Sequence, residues 1–393
     1  MRIFVYYYLY DEVLRGMPGG PVKVFDLCTN LKSMGHDVVL FAPDNGCPET
    51  QTTAKVVKIP AFGIPIFGII WHELLSLAAS LLELRHGACS AVFVRITTSF
   101  VPLFMKSVTG AVLLTDVNDD PFYRYRETRG GMRLKLPLVR FCDRLNLKLS
   151  DAVFTINSKV KKALVGGFGL DEDKVSILPS GANTDIFRPL DRAKACAELS
   201  LAPELRYVCF AGSLNKWNDY PLIISAAKEI LGAFPDVRLL LLGDLDDACR
   251  ELIAGTGLGG RFILTGRVAQ QKAAAYIACS EVGLSALTGA GEAVTPVKIF
   301  DYLACGKPVV AAMPRGTNDF FQDCEAVAVT DAGDAPTFLA AISRFLEDPE
   351  RASRLGGQGR ALILERFDRA AVARRVAEAA ETSFRGSPPL GGK

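Results

Sequence analysis

Thirteen short apolar runs, separated by stretches of helical periodicity, recur along nearly all of the 393 residues. In the first half they lie at 2–8, 37–42, 55–59, 91–96, 111–117, 152–156 and 175–178. In the second they lie at 207–211, 237–242, 262–265, 282–287, 308–313 and 326–329. A strand facing water on one side alternates apolar and polar residues, whereas most of these runs are apolar throughout. They predict parallel sheets covered by helices on both faces, with right-handed crossovers. The length suits two domains, each with its own core. The loop GANTDIFRPLDR, 181–192, is rich in turn formers and separates two wound halves. The reading is a first domain over 1–187, a second over 188–368, and a C-terminal helix with a disordered tail over 369–393. That helix is expected to pack back on the first domain. Doubly wound sheets bind ligands at the carboxyl ends of their strands, which puts a site in a crevice between the domains.

Composition narrows the partners. A formal net charge of +2 opposes a dedicated nucleic-acid binder. The ten cysteines are scattered, with no Cys-x-x-Cys and no metal-ligand spacing, so they read as reduced core residues of a cytoplasmic protein. Residues 1–10 lead straight into the first strand, and no signal peptide is expected. Residues 59–84, IPAFGIPIFGIIWHELLSLAASLLEL, are unusually apolar but are interrupted by two prolines, His72 and Glu73. They read as a strand end, a loop and a buried helix from Trp71, or else as a surface resting in a membrane interface.

The segment TPVKIFDYLACGKPVV, 295–310, is the most informative about chemistry. Thr295 suits an N-cap and Pro296 the first helical position, with Gly306 and Pro308 ending the helix. The N–H groups of Val297 and Lys298 would leave the positive end of the helix dipole, and Lys298 adds a full charge. Asp301 lies one turn deeper on the same face. A cation for phosphate and a carboxylate for ribose hydroxyls, one turn apart, suit a nucleoside diphosphate. An ordinary capped helix with a solvated ion pair has the same pattern. A second glycine loop, GMPGG at 16–20, follows the first strand and brings Gly19 and Gly20 where a backbone can approach a ligand. It is not G-x-G-x-x-G, so a dinucleotide site is weakly supported. The segment TDVNDDP, 115–121, ends a strand and offers Asp116, Asn118 and Asp119 to the crevice.

Several ordered motifs together resemble the retaining, family-four glycosyltransferases of GT-B fold, of the group 1 type. Pro18-Gly19-Gly20 is followed by a helix and by Gly35-His36-Asp37-Val38, similar to that family's "GHxV". FTINSKVKKAL at 154–164 and VSILPSGANTDIFRP at 175–189 resemble its pieces before the second domain. Phe210-Ala211-Gly212-Ser213 resembles the opening of its donor domain, and Thr265-Gly266-Arg267-Val268 its turn beside the nucleotide base. The 295–310 segment and the closing RFDRAAVARRVAEA complete the resemblance.

The resemblance implies two Rossmann-like domains and a sugar donor activated by a nucleoside diphosphate, UDP or GDP, held in the second domain. A saccharide or lipid-linked acceptor would bind the first. Transfer would retain anomeric configuration with no metal and no cofactor, in cell-surface polysaccharide or glycolipid synthesis. The enzyme would be cytoplasmic, with peripheral contact to a membrane. Donor-binding positions carried over are Gly212, Ser213, Val268, Thr295, Val297 and Asp301, the last in place of a ribose-binding glutamate. Gly19, Gly20, Asp116 and Asn118 would face the acceptor or the sugar. The family often has an arginine directly after the glycine and a lysine five residues further on. Here Ser213 and Asn218 stand there, and Lys216 and Lys298 are the candidate replacements. Glu292 is the candidate beside the sugar ring, one residue from the usual place at Ala293. The departures keep a non-catalytic nucleotide-sugar-binding partner open, and the fold keeps a sugar-nucleotide epimerase open. A metal set around Asp116 is opposed by the two-domain pattern.

Overall fold

The computed structural model describes residues 1–7, 19–44, 52–60, 67–95, 99–118, 120–128, 133, 136–212, 218–289 and 296–386. They fall into two compact units, Met1–Pro179 with Arg369–Lys393, and Ser180–Asp368.

The first unit is built on seven strands: β1 (Arg2–Tyr6), β2 (Asp37–Pro43), β3 (Lys55–Ile59), β4 (Ala91–Arg95), β5 (Val112–Val117), β6 (Ala152–Thr155) and β7 (Val175–Ile177). Their order is β3-β2-β1-β4-β5-β6-β7, with every neighbouring pair parallel. Successive side chains of β1 serve opposite cores, as a two-residue period requires. Ile3 and Val5 pack toward the Gly19–Ser33 and Arg369–Gly386 helices. Phe4 and Tyr6 pack toward residues of the Phe67–Glu83, Val101–Thr109 and Leu136–Leu149 helices. The 59–84 stretch is therefore partly strand end and partly helix. That helix begins at Phe67 rather than Trp71, and one side of it is exposed rather than buried.

The C-terminal helix is tied to the first unit by charge as well as packing. Arg369, nearly buried, pairs with Asp26 of the Gly19–Ser33 helix. Burial lowers the guanidinium pKa to about 10. Arg375 Nη2 also donates to the Ile177 carbonyl at 3.1 Å. Removing one partner of such a pair leaves the other charge desolvated, which typically costs about 3–5 kcal/mol. Arg369→Met is expected to lower urea stability by about 3 kcal/mol and to expose the 369–386 helix to early proteolysis. Unchanged stability and unchanged cleavage would show that the pair contributes nothing.

The second unit holds β8 (Arg206–Ala211), β9 (Val237–Leu242), β10 (Phe262–Gly266), β11 (Val282–Ala286), β12 (Val309–Met313) and β13 (Val327–Asp331). The order is β10-β9-β8-β11-β12-β13, again all parallel. The chain winds outward from β8 to β10, returns to β11 beside β8, and winds outward the other way. The switch of direction lies between β8 and β11, where ligands bind in such sheets. Segment 180–187 belongs to this unit. Ala182 N–H donates to the Phe367 carbonyl at 2.9 Å, and Thr184 Oγ1 to Asp368 Oδ2 at 2.5 Å. Eight of the nine described cysteines are buried and none is in a disulfide.

Candidate functional site

The Val297–Ala304 helix is set by its buried face. Ile299, Phe300, Tyr302, Leu303 and Ala304 are buried, and Phe300 packs its ring 5.0 Å from that of Phe321 and 5.5 Å from that of Phe367. Pro296 is the flanking residue, in extended conformation, so the helix starts at Val297, one residue later than its pattern suggests. Thr295 lies outside the described residues. No side-chain cap hydrogen bond is made to this N-terminus among the described residues.

Lys298 turns from the first turn of that helix across the end of β8. Its Nζ donates to Asn218 Oδ1 at 2.9 Å and stands 3.8 Å from the centroid of the Phe210 ring. Gly212, with φ +126°, leaves the room for this, because a Cβ there would lie 3.2 Å from Nζ. Asn218 is held in turn by a bridge to Leu287, just after β11. The ammonium thus sits at the carboxyl ends of the two strands that flank the switch point. Desolvation lowers its pKa to about 7. Among the described residues its contacts are this hydrogen bond and this aromatic face, both of which favour the ammonium against that desolvation.

Tyr302 locks the same strand end from beneath. Its hydroxyl accepts the Ala211 N–H at 2.6 Å and donates to the Leu284 carbonyl at 3.2 Å. The ring lies on Gly283 of β11, where any Cβ would overlap it. Asp301 is half-buried on the turn after Lys298. Val268 follows β10, half-buried, at the same edge of the sheet. The structure therefore brings Gly212, Val297, Lys298, Asp301 and Val268 to the carboxyl edge of one sheet. Ser213, Lys216, Glu292 and Thr295 lie outside the described residues.

In the first unit, Gly19 and Gly20 are the first two residues of their helix. Asp116 stands on β5 opposite Arg95 of β4, at the carboxyl edge of that sheet. Asn118 Nδ2 donates to Asp116 Oδ2. Sequence reasoning missed the parts played by Phe210, Tyr302 and Gly283. It had marked Asn218 only as a missing lysine, and the structure finds Lys298 bonded to that residue.

Residues 206–348 match the family model described as "Glycosyl transferases group 1", and residues 19–186 match "Glycosyltransferase Family 4". Together the two models cover most of the chain. The chain belongs to the group 1 glycosyltransferases. This group 1 glycosyltransferase is 29% identical over 228 residues to a D-inositol 3-phosphate glycosyltransferase of Segniliparus rotundus, covering 57% of this chain and 51% of that one. It is 25% identical over 251 residues to a GDP-mannose-dependent alpha-(1-6)-phosphatidylinositol monomannoside mannosyltransferase of Mycolicibacterium smegmatis, covering 62% and 65%. The chain spans about half the length of the inositol-phosphate relatives it matches. Its fold is that of sucrose-phosphate synthase from Thermosynechococcus elongatus, with TM-score 0.77 and 18% identity over 98% of this chain and 100% of that one. It is also that of Anabaena Alr3699/HepE, solved with UDP-glucose, with TM-score 0.73 and 17% identity over 97% and 100%. The two parallel-sheet units of this group 1 glycosyltransferase are thus the Rossmann-like halves of a GT-B fold.

Proposed function

We propose that the protein transfers a sugar from a UDP- or GDP-linked donor to a saccharide or lipid-linked saccharide, with retention and without a metal. The observation that carries this reading is the Lys298 ammonium at the switch point of the second unit, beside Gly212 and the open N-terminus of its own helix. One cation and the N–H groups of Val297 and Lys298, to which no partner is found among the described residues, converge where a diphosphate would lie. Asp301 would accept from the ribose hydroxyls, and backbone around Val268 would hold the base. Lys216, Ser213 and Thr295 would complete the phosphate contacts, and Glu292 would stand beside the sugar. Gly19, Gly20, Asp116 and Asn118 would serve the acceptor or the sugar.

In this reading the anomeric C–O bond to the diphosphate breaks while the acceptor oxygen attacks the same face. The acceptor proton passes to the departing phosphate oxygen. Lys298 and the helix N–H groups take up the charge that develops on the diphosphate, and the rest of the site positions the reactants. The name of the mannosyltransferase relative includes a phosphatidylinositol monomannoside, which supports a lipid-linked substrate. With such a substrate the enzyme would take a peripheral place on the cytoplasmic face of a membrane.

Calorimetry with UDP, GDP, ADP and CDP tests the donor half. One nucleotide is expected to bind selectively, and Asp301→Ala to weaken it by about tenfold or more, the worth of hydrogen bonds to a charged group. Equal binding by wild type and variant would remove Asp301 from the ribose. Binding of none would favour a non-catalytic role.

A further inference from the structure

The Phe67–Glu83 helix is apolar on its outer side as well as on its inner one, where Leu75, Leu77 and Ala79 pack on the core. His72, Ser76, Ser80 and Glu83 are buried against the sheet, and Ser80 Oγ is 2.7 Å from the Tyr6 hydroxyl. Ile70, Trp71, Leu74, Leu81 and Leu82 are exposed instead. A helix beside water carries polar residues on its outer side instead.

Two neighbours extend this face. Glu73 Oε2 accepts from Ser99 Oγ and from the Phe100 N–H, both at 2.9 Å, where the Val101–Thr109 helix begins. Asn146 of the Leu136–Leu149 helix donates to the Ser99 carbonyl at 3.0 Å. The three helices thus lie together on one side of the sheet. The second exposes Phe100, Phe104 and Val108, and the third Leu138, Phe141 and Leu149. Eleven of the seventeen exposed large apolar side chains among the described residues fall on this one face. Scattered exposed leucines are ordinary, but such a concentration marks an interaction surface.

Charge selects the occupant. Arg140, Arg144 and Lys148 are exposed on the third helix, and Arg133 is exposed just before it. The carboxylates of the three helices are turned inward. Glu83 pairs with Arg2 at 3.0 Å and Lys55 at 2.6 Å, Asp143 accepts from the Tyr125 hydroxyl at 2.5 Å, and Glu73 caps the second helix. The outward charge of these helices is therefore positive and interleaved with apolar groups. No helix among the described residues is long and apolar enough to cross a membrane.

We propose that this three-helix face rests in the headgroup region of a bilayer containing anionic lipid, with its apolar side chains inserted and Arg140, Arg144 and Lys148 on the lipid phosphates. It gives the peripheral placement above a surface, yet vesicle binding needs neither donor nor acceptor. Its failure would leave nucleotide binding untouched.

Flotation with phosphatidylcholine vesicles, with and without phosphatidylglycerol, tests it. Binding is expected only with the anionic lipid and should weaken with salt. Trp71 emission should shift to the blue, a change absent in Trp71→Phe. Replacing Arg140, Arg144 and Lys148 by Gln should lower vesicle affinity by about a hundredfold at low salt. Leu138→Ser with Phe141→Ser should lower it by about tenfold or more. Both variants should keep wild-type nucleotide affinity and melting behaviour. No vesicle binding by wild type, or equal binding by all variants, overturns the proposal. So does a dimer broken by Leu138→Ser and Phe141→Ser without lipid binding, which would make the face a contact between copies.

Discussion

Replacing Lys298 by Met is expected to weaken nucleoside diphosphate binding by about a hundredfold and to lower kcat/KM by about a thousandfold, the scale of losing one preorganised charge on a leaving group. The same lysine makes binding pH-dependent. In the free protein its pKa lies at about 7, because burial disfavours the ammonium. A diphosphate beside it favours the ammonium and raises that value. Above about pH 7, binding must therefore take up a proton, and affinity should fall by about tenfold per pH unit until the raised value is reached. Calorimetry in buffers of different ionisation enthalpy reads the proton count directly. Close to one proton is expected at about pH 8.5 for wild type and none for Lys298→Met. Affinity flat from about pH 6 to about pH 9 would exclude Lys298 from the diphosphate.

The ligand-free protein should respond in the opposite sense. A lysine whose folded pKa is lowered from 10.5 to about 7 destabilises the fold in full below about pH 7. That penalty disappears as the pH rises to the unfolded value. Lys298→Met should therefore melt higher than wild type at neutral pH, by on the order of 1–2 kcal/mol, and lose the advantage above about pH 10. A variant that gains stability while losing ligand separates a binding role from a structural one.

Gly283→Ala is expected to destabilise the second unit by about 3 kcal/mol, lowering its melting temperature by roughly 6–12 °C. The added methyl would lie 2.4 Å from Tyr302 Cγ and 2.5 Å from Cδ2. The ring cannot retreat cheaply, since Tyr302 is fully buried and its hydroxyl is bonded to Ala211 and Leu284. Moving it breaks the bond to Ala211, the residue before Gly212, so nucleotide affinity should fall together with stability. A double-mutant cycle with Tyr302→Leu should recover part of the loss, because the leucine lacks the ring that the methyl strikes. Calorimetric melting checks this, and a change within about 0.5 kcal/mol would show that the wedge is not tight.

All thirteen strands were legible, with ends shifted by at most two residues, because an unbroken apolar run bounded by turn formers is a local signal. The helices were less so. Val101–Thr109, Pro121–Glu127 and Arg192–Glu198 went unread. The first hides in an apolar run, Phe100 to Met105, that has no polar face until it is folded. The 349–367 stretch, whose helical pattern runs on without a stop signal, is a helix at Pro349–Leu362 followed by a π turn at Ile363–Phe367. The candidate site was legible in its helix and its two charges, since Lys298 and Asp301 are neighbours on one turn.

By itself, then, the order of residues determined two wound parallel sheets, the 297–304 helix and the family to which the chain belongs. Each depends on patterns of a few residues or a few tens of residues, which local sterics and burial read directly. Tertiary structure alone decided where the Lys298 charge goes. Its partner Asn218 is 80 residues away, its aromatic neighbour lies on β8, and its pKa depends on solvent excluded by both. It also decided which side of the Phe67–Glu83 helix faces out, because only the packed sheet supplies partners for Ser80 and Glu83, and Leu74, Leu81 and Leu82 are left exposed.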